Sequence, residues 1–206
     1  MHPLILASSS PRRREILESL GFSFGIMTPD TDESVHDHLE VEERVLRLAE
    51  DKAMAVARDI HGGRECLVLG ADTLVRLRAG GNSESAVLGK PRDRSEAGDM
   101  MRALAGRSHD VYTGIALVGY PGLAVQTIRS ESRVTFAPMT GEEIEEYLDS
   151  GDWEGVAGAY KVQGRAALYI EGIEGSWSGI MGLPIRELYV ILKRAAFPWS
   201  ELVPER

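Results

Sequence analysis

Short apolar runs alternate with helix-patterned segments along almost the whole chain, and that alternation restricts the fold more than any other feature. Leu4 to Ser8 reads as a buried strand. Pro11 follows where a first helical turn tolerates it, with Ile16, Leu17 and Leu20 as the apolar side and Gly21 as the stop. Phe22 to Met27 reads as a second strand. Glu40 to Ile60 reads as a long helix, with Val41, Val45, Leu48 and Val56 at helical spacing and Gly62-Gly63 at its end. Cys66 to Ala71 is a strongly apolar strand that Thr73 to Leu77 can continue, and Ala79 to Ser83 is a loop. Ser95 to Leu104 reads as a helix closed by Gly106. Thr140 with Glu143 has the spacing of a capping box, with Ile144, Tyr147 and Leu148 on the core side of the helix it opens. Ala167 to Ile170 reads as a strand, and Ile185 to Leu192 as a last helix after Pro184.

The uncharged stretch from Val111 to Ile128 is long enough to raise a transmembrane question. Its glycines and Pro121 break it into two groups, so it reads as a hairpin turning at Tyr120-Pro121-Gly122, with Glu131 to Phe136 extending the second arm. No repeat or linker divides the 206 residues, which gives the expectation of one α/β domain over 1–206. With one cysteine, Cys66, no internal disulfide can form. The first residues lack a signal-peptide pattern, and a cytoplasmic protein is the expectation. A net charge of -9 argues against nucleic acid or a membrane surface as partner.

Against this ordinary background, several polar groups stand out. Ser8-Ser9-Ser10-Pro11-Arg12-Arg13-Arg14 lies between a strand and a helix, where unpaired N–H groups and the helix dipole favour phosphate. A plain Ser cap before a solvated basic helix is the simpler reading of such a string. Three cations in a first helical turn oppose the dipole, however, which favours an anion among them. Lys52 follows Leu48 by four and Val45 by seven, so it sits on the apolar stripe of its helix. Asp72 ends the apolar run from Cys66, at the strand end where open α/β sheets bind ligands. Lys90 is set between Gly89 and Pro91 in a short basic loop. Ala157 to Gly164 is rich in small residues and carries Gln163, whose amide offers both a donor and an acceptor for a base edge. None of the histidines has metal-ligand spacing.

These segments, in this order, resemble the Maf family of nucleoside triphosphate pyrophosphatases: LASSSPRR, Glu50-Asp51-Lys52-Ala53, Gly70 to Thr73, GKPRD from Gly89, HDVYTG from His109, AGAYKVQG, and Gly182 to Pro184. The resemblance runs from Leu4 to about Leu192. It implies an elongated mixed sheet with helices on both sides, similar to inosine triphosphatases, and two lobes around a central cleft. It implies cleavage between the α and β phosphates with a divalent cation, Mg²⁺ or Mn²⁺, and a homodimer. Asp72 then matches the proton acceptor, and Glu33 an acid near the metal and the catalytic water, so these two are the expected metal ligands. Ser8, Arg12, Arg13, Lys52 and Lys90 match the triphosphate-binding set, and Gln163 the base-side residue. Arg12, Thr73 and Gln163 resemble the branch acting on dTTP and UTP, whereas the 7-methyl-GTP branch is an alternative with other residues there. Val156, Lys161 and Val162 depart from the commoner family pattern. The family's first association, with septum formation, implies a second alternative, a non-catalytic nucleotide-binding regulator.

Overall fold

The computed structural model describes residues 4–62, 65–78 and 86–199. The chain is a mixed α/β protein: β1 (Leu4–Ala7), α1 (Pro11–Ser19), β2 (Phe24–Met27), α2 (Val41–Asp59), β3 (Cys66–Leu77), β4 (Ala86–Leu88), α3 (Arg94–Leu104), β5 (Ser108–Tyr120), β6 (Ala124–Phe136), α4 (Gly141–Asp149), β7 (Ile170–Glu174), α5 (Trp177–Met181) and α6 (Ile185–Arg194). Short 3₁₀ turns cover Glu33–His36, Ala157–Ala159 and Arg165–Tyr169. The strands form one seven-stranded sheet in the order β2-β1-β3-β5-β6-β7, with β4 paired to β3. β1 is parallel to both β2 and β3, while β4 and β7 run antiparallel to their neighbours.

Chain contacts divide the protein into two compact units. The first holds Met1–Asp72, Thr113–Ser130 and Gly182–Arg206, and the second Thr73–Tyr112 and Glu131–Met181. In the first unit, both faces of β1 are buried, as expected of a central parallel strand. Ile5 and Ala7 share a core with Ala49, Ala53 and Val56 of α2. Cys66 is a buried member of that core, and burial raises its thiol pKa. Two glycines bring α2 unusually close to the sheet. A Cβ on Gly70 would lie 2.2 Å from the Ala49 carbonyl oxygen, and one on Gly114 would lie 2.3 Å from that of Val45. In the second unit, α3 and α4 pack Met101, Leu104, Ile144 and Tyr147 against Val75, Val111, Val134 and Phe136.

The hairpin, the capping box of Thr140 and Glu143, and the long helix from Val41 match the sequence reading. Three local expectations are corrected. Leu20 is 37% exposed rather than on the apolar side of α1. Residues 165–169 form a 3₁₀ turn, and the strand begins only at Ile170: Leu168 faces solvent, and only Ala166 of the five is buried, so the apolar run has no sheet face to cover. Asp72 does not end a strand, since β3 continues unbroken to Leu77, where β4 pairs with it. What does stop is the parallel neighbour: β1 ends at Ala7, opposite Gly70. The loop read at Ala79 to Ser83 lies outside the described residues. No helix among the described residues is long and apolar enough to cross a membrane.

Candidate active site

Ser8 and Asp72 both lie just beyond the last β1–β3 pair, at the carboxyl end of the parallel ladder. Side chains alternate across a strand, so Asp72 faces the same way as Gly70, toward α2. Ala49 sits over Gly70, and Lys52 is one helical turn farther along. The result is a buried ion pair: Lys52 Nζ lies 2.5 Å from Asp72 Oδ1, with the two residues 7% and 6% exposed. Lys52 also meets Glu33 Oε1 at 2.7 Å. Glu33 opens the 3₁₀ turn that Asp32 caps by accepting from the Ser34 N–H at 2.9 Å. One ammonium therefore joins the two carboxylates.

Arg13 lies near enough to this cluster for Asp72 and Glu33 to act on its charge. Its Nε donates to the Gly182 carbonyl at 2.9 Å, and one Nη donates to Ser8 Oγ at 3.1 Å. Ser8 is buried and also accepts from the Ser10 N–H at 3.2 Å. Burial lowers the Arg13 pKa below its ordinary value, Asp72 and Glu33 raise it, and neighbouring Arg12 lowers it. Burial also lowers the pKa of Arg12, with Glu15 opposing. At the start of α1 no side chain caps the helix, and its first turn holds no acid. The helix N-terminus therefore presents unpaired N–H groups beside two guanidiniums, an arrangement suited to phosphate.

The other expected residues belong to the second unit. Thr73 follows Asp72 directly in β3. The loop with Lys90 and the loop leading to Gln163 are tied together, since the Gly158 N–H donates to the Gly89 carbonyl at 3.0 Å. Gly158 has φ of +69°, and a Cβ there would press on Val75 at 2.9 Å. Lys90 and Gln163 are both exposed, while Pro91 is buried and anchors the Lys90 loop. His109 is fully buried, with Nε2 2.8 Å from the Tyr160 hydroxyl and Nδ1 without a partner. Burial pushes its pKa down to about 4, against the pull of Asp110.

Among the described residues no group of three or more His, Cys, Asp and Glu side chains converges as a metal cage. The pair Asp72 and Glu33 still fits a hard divalent ion, because Mg²⁺ in nucleotide sites takes one or two carboxylates plus phosphate and water oxygens. The site also contains a contact that the residue pattern does not signal. The Gly182 carbonyl that orients Arg13 lies 169 positions away in sequence, and a backbone acceptor has no residue signature.

A family model described as Maf-like protein matches residues 3–195. A dTTP/UTP pyrophosphatase of Pelotomaculum thermopropionicum is 43% identical over 197 residues, covering 96% of this chain and 98% of that one. One from Hahella chejuensis is 44% identical over 199 residues, with 96% and 95% covered. One from Myxococcus xanthus is 43% identical over 195 residues, with 95% and 93% covered.

Proposed function

The chain belongs to the Maf family, and from that premise we propose that it hydrolyses dTTP and UTP to the nucleoside monophosphate and pyrophosphate. The observation that carries this reading is the buried Lys52–Asp72 pair, with Glu33 on the same ammonium and the Ser8–Arg13 contact close by. Buried charges are costly, and a fold keeps them where they are paired or used.

In this reading the triphosphate is bound by the N–H groups of α1 together with Arg12, Arg13, Ser8 and Lys52, and the family resemblance gives Lys90 the same role. Gln163 meets the base, and Thr73 is read as a further substrate-binding residue. Asp72 orients the attacking water and accepts its proton. The water oxygen bonds to the α-phosphorus as the bond to the bridging oxygen breaks, and pyrophosphate leaves. The cations stabilise the charge that develops on that leaving group. Asp72 and Glu33 would hold a divalent cation, Mg²⁺ or Mn²⁺, which offsets triphosphate charge and polarises the phosphate when bound. The carboxylates offset two of the three cations at Arg12, Arg13 and Lys52, so such an ion supplies positive charge that the side chains alone do not. The proposed unit of function is a single Maf-like domain, active as a cytoplasmic homodimer.

Asp72→Asn tests the assignment, because it keeps the size of the side chain and an acceptor for Lys52 while removing the base. Pyrophosphate release from dTTP in Mg²⁺ is expected to fall by about 10²-fold or more. Near-normal release by a folded Asp72→Asn protein would contradict the role given to Asp72.

A further inference from the structure

The turn that carries Gln163 is gripped at both ends by one carboxylate, Asp152. The Gly164 N–H donates to the Lys161 carbonyl at 3.0 Å, which closes a tight turn with Val162 and Gln163 at its centre. Val162 is 2% exposed and belongs to the core of the second unit, whereas Gln163 is exposed. Asp152 Oδ1 accepts from Lys161 Nζ at 3.3 Å, and Oδ2 accepts from the Arg165 N–H at 2.9 Å. The first residue of the turn and the residue just after its last thus share one acceptor group. Only glycine leaves room for this, since a Cβ on Gly164 would lie 2.4 Å from Asp152 Oδ2.

Asp152 is itself anchored to the end of α4. Its N–H donates to Ser150 Oγ at 3.2 Å, and Ser150 Oγ donates to the Tyr147 carbonyl at 2.6 Å. The indole N–H of the next residue, Trp153, donates to the Leu148 carbonyl at 2.9 Å. A continuous set of hydrogen bonds therefore runs from a capped helix to the turn that presents Gln163. A turn of this kind needs only its own closing bond to exist. The additional bonds restrict where its exposed tip can go, and recognition by a single amide depends on that placement.

We propose that Asp152 is a positioning residue for base recognition: it holds Lys161 and the Arg165 amide so that the Gln163 amide meets the pyrimidine edge in one geometry. This rests on the reading of Gln163 as the base-side residue.

The test is steady-state hydrolysis of dTTP, GTP and methyl triphosphate, which carries the phosphates without a base. The proteins compared are wild type, Asp152→Ala, Asp152→Asn and Gln163→Ala. Asp152→Ala is expected to raise KM for dTTP about tenfold with kcat within about twofold, and to lower the dTTP-over-GTP ratio of kcat/KM about tenfold. Methyl triphosphate turnover is expected to stay within about twofold of wild type. Asp152→Asn keeps an oxygen for the Arg165 N–H and is expected to restore KM to within about threefold of wild type. If Asp152→Ala does not fold, Lys161→Met, which removes one contact and keeps the stem, is expected to shift the same ratio about threefold. An unchanged dTTP KM and base ratio in Asp152→Ala, or an equal loss on methyl triphosphate, would overturn the clamp. A ratio lowered by Gln163→Ala but untouched by Asp152→Ala sinks the clamp alone. A ratio untouched by Gln163→Ala sinks the reading of Gln163 and the clamp with it.

Discussion

Lys52 shows how one residue can be both a structural debt and a functional group. Its ammonium is buried on the apolar stripe of α2 and is matched by Asp72 and Glu33. Removing one partner of such a buried pair leaves an uncompensated charge, at a cost of about 3–5 kcal/mol. Substitutions that preserve an acceptor are for that reason the informative ones at Asp72. His109 carries a different debt. It is buried and neutral, with a pKa of about 4 in the fold against an ordinary value of 6.5. Between those values the unfolded chain takes up a proton that the folded chain refuses, so the unfolded state gains on acidification and stability falls. The loss from this group develops as pH drops from about 6.5 to about 4 and reaches about 3 kcal/mol. Denaturant unfolding at pH 7.0 and 4.5 is therefore expected to show a larger acid loss for wild type than for His109→Phe. Equal losses in the two proteins would mean that His109 does not titrate as its burial implies.

At the scale of elements, the contact between α2 and the sheet sets the site. Gly70 and Gly114 let the helix backbone approach β3 and β5, and that approach puts Lys52 within reach of Asp72. Gly70→Ala forces a methyl group into backbone atoms that cannot rotate away. It is expected to destabilise the protein by about 1–3 kcal/mol and to lower kcat by about tenfold or more, because α2 must shift outward. The check is a thermal melt alongside dTTP hydrolysis; wild-type stability and kcat in Gly70→Ala would show that the close approach is not needed. Elements of this kind were legible where a period or a cap marked them. The Tyr120-Pro121-Gly122 break between β5 and β6, the helical spacing of Val41, Val45 and Leu48, and the Thr140 box are all local signals. Residues 165–169 were not legible, because an apolar run of that length looks the same as a strand until its burial is known. β4 and α5 are only 3 and 5 residues long and carry no period at all.

Across the whole molecule, the chain passes between its two units at Asp72 and Thr73, at Tyr112 and Thr113, at Ser130 and Glu131, and at Met181 and Gly182. Residues with proposed roles fall on both units. Ser8, Arg12, Arg13, Glu33, Lys52 and Asp72 belong to the first, and Thr73, Lys90 and Gln163 to the second. The clearest marks in the sequence are charges out of place: an ammonium on an apolar stripe, a carboxylate closing an apolar run, and arginines at a positive helix end. Glu33 had no such mark, since it sits among exposed polar residues; only the family resemblance singled it out, and its contact with Lys52 shows in the fold alone. The Gly182 carbonyl and the Asp152 clamp were hidden for the same reason, as both depend on contacts rather than residue type. A pyrophosphatase is defined by the bond it breaks, and product identity in ¹⁸O-labelled water reads that bond. Purified wild-type protein with dTTP and Mg²⁺ is predicted to release pyrophosphate and dTMP in equal amounts, with the label in dTMP. Release of orthophosphate and dTDP would mean cleavage at the γ-phosphate, and label in pyrophosphate would mean attack on the β-phosphorus; either outcome rules out water attack on the α-phosphorus.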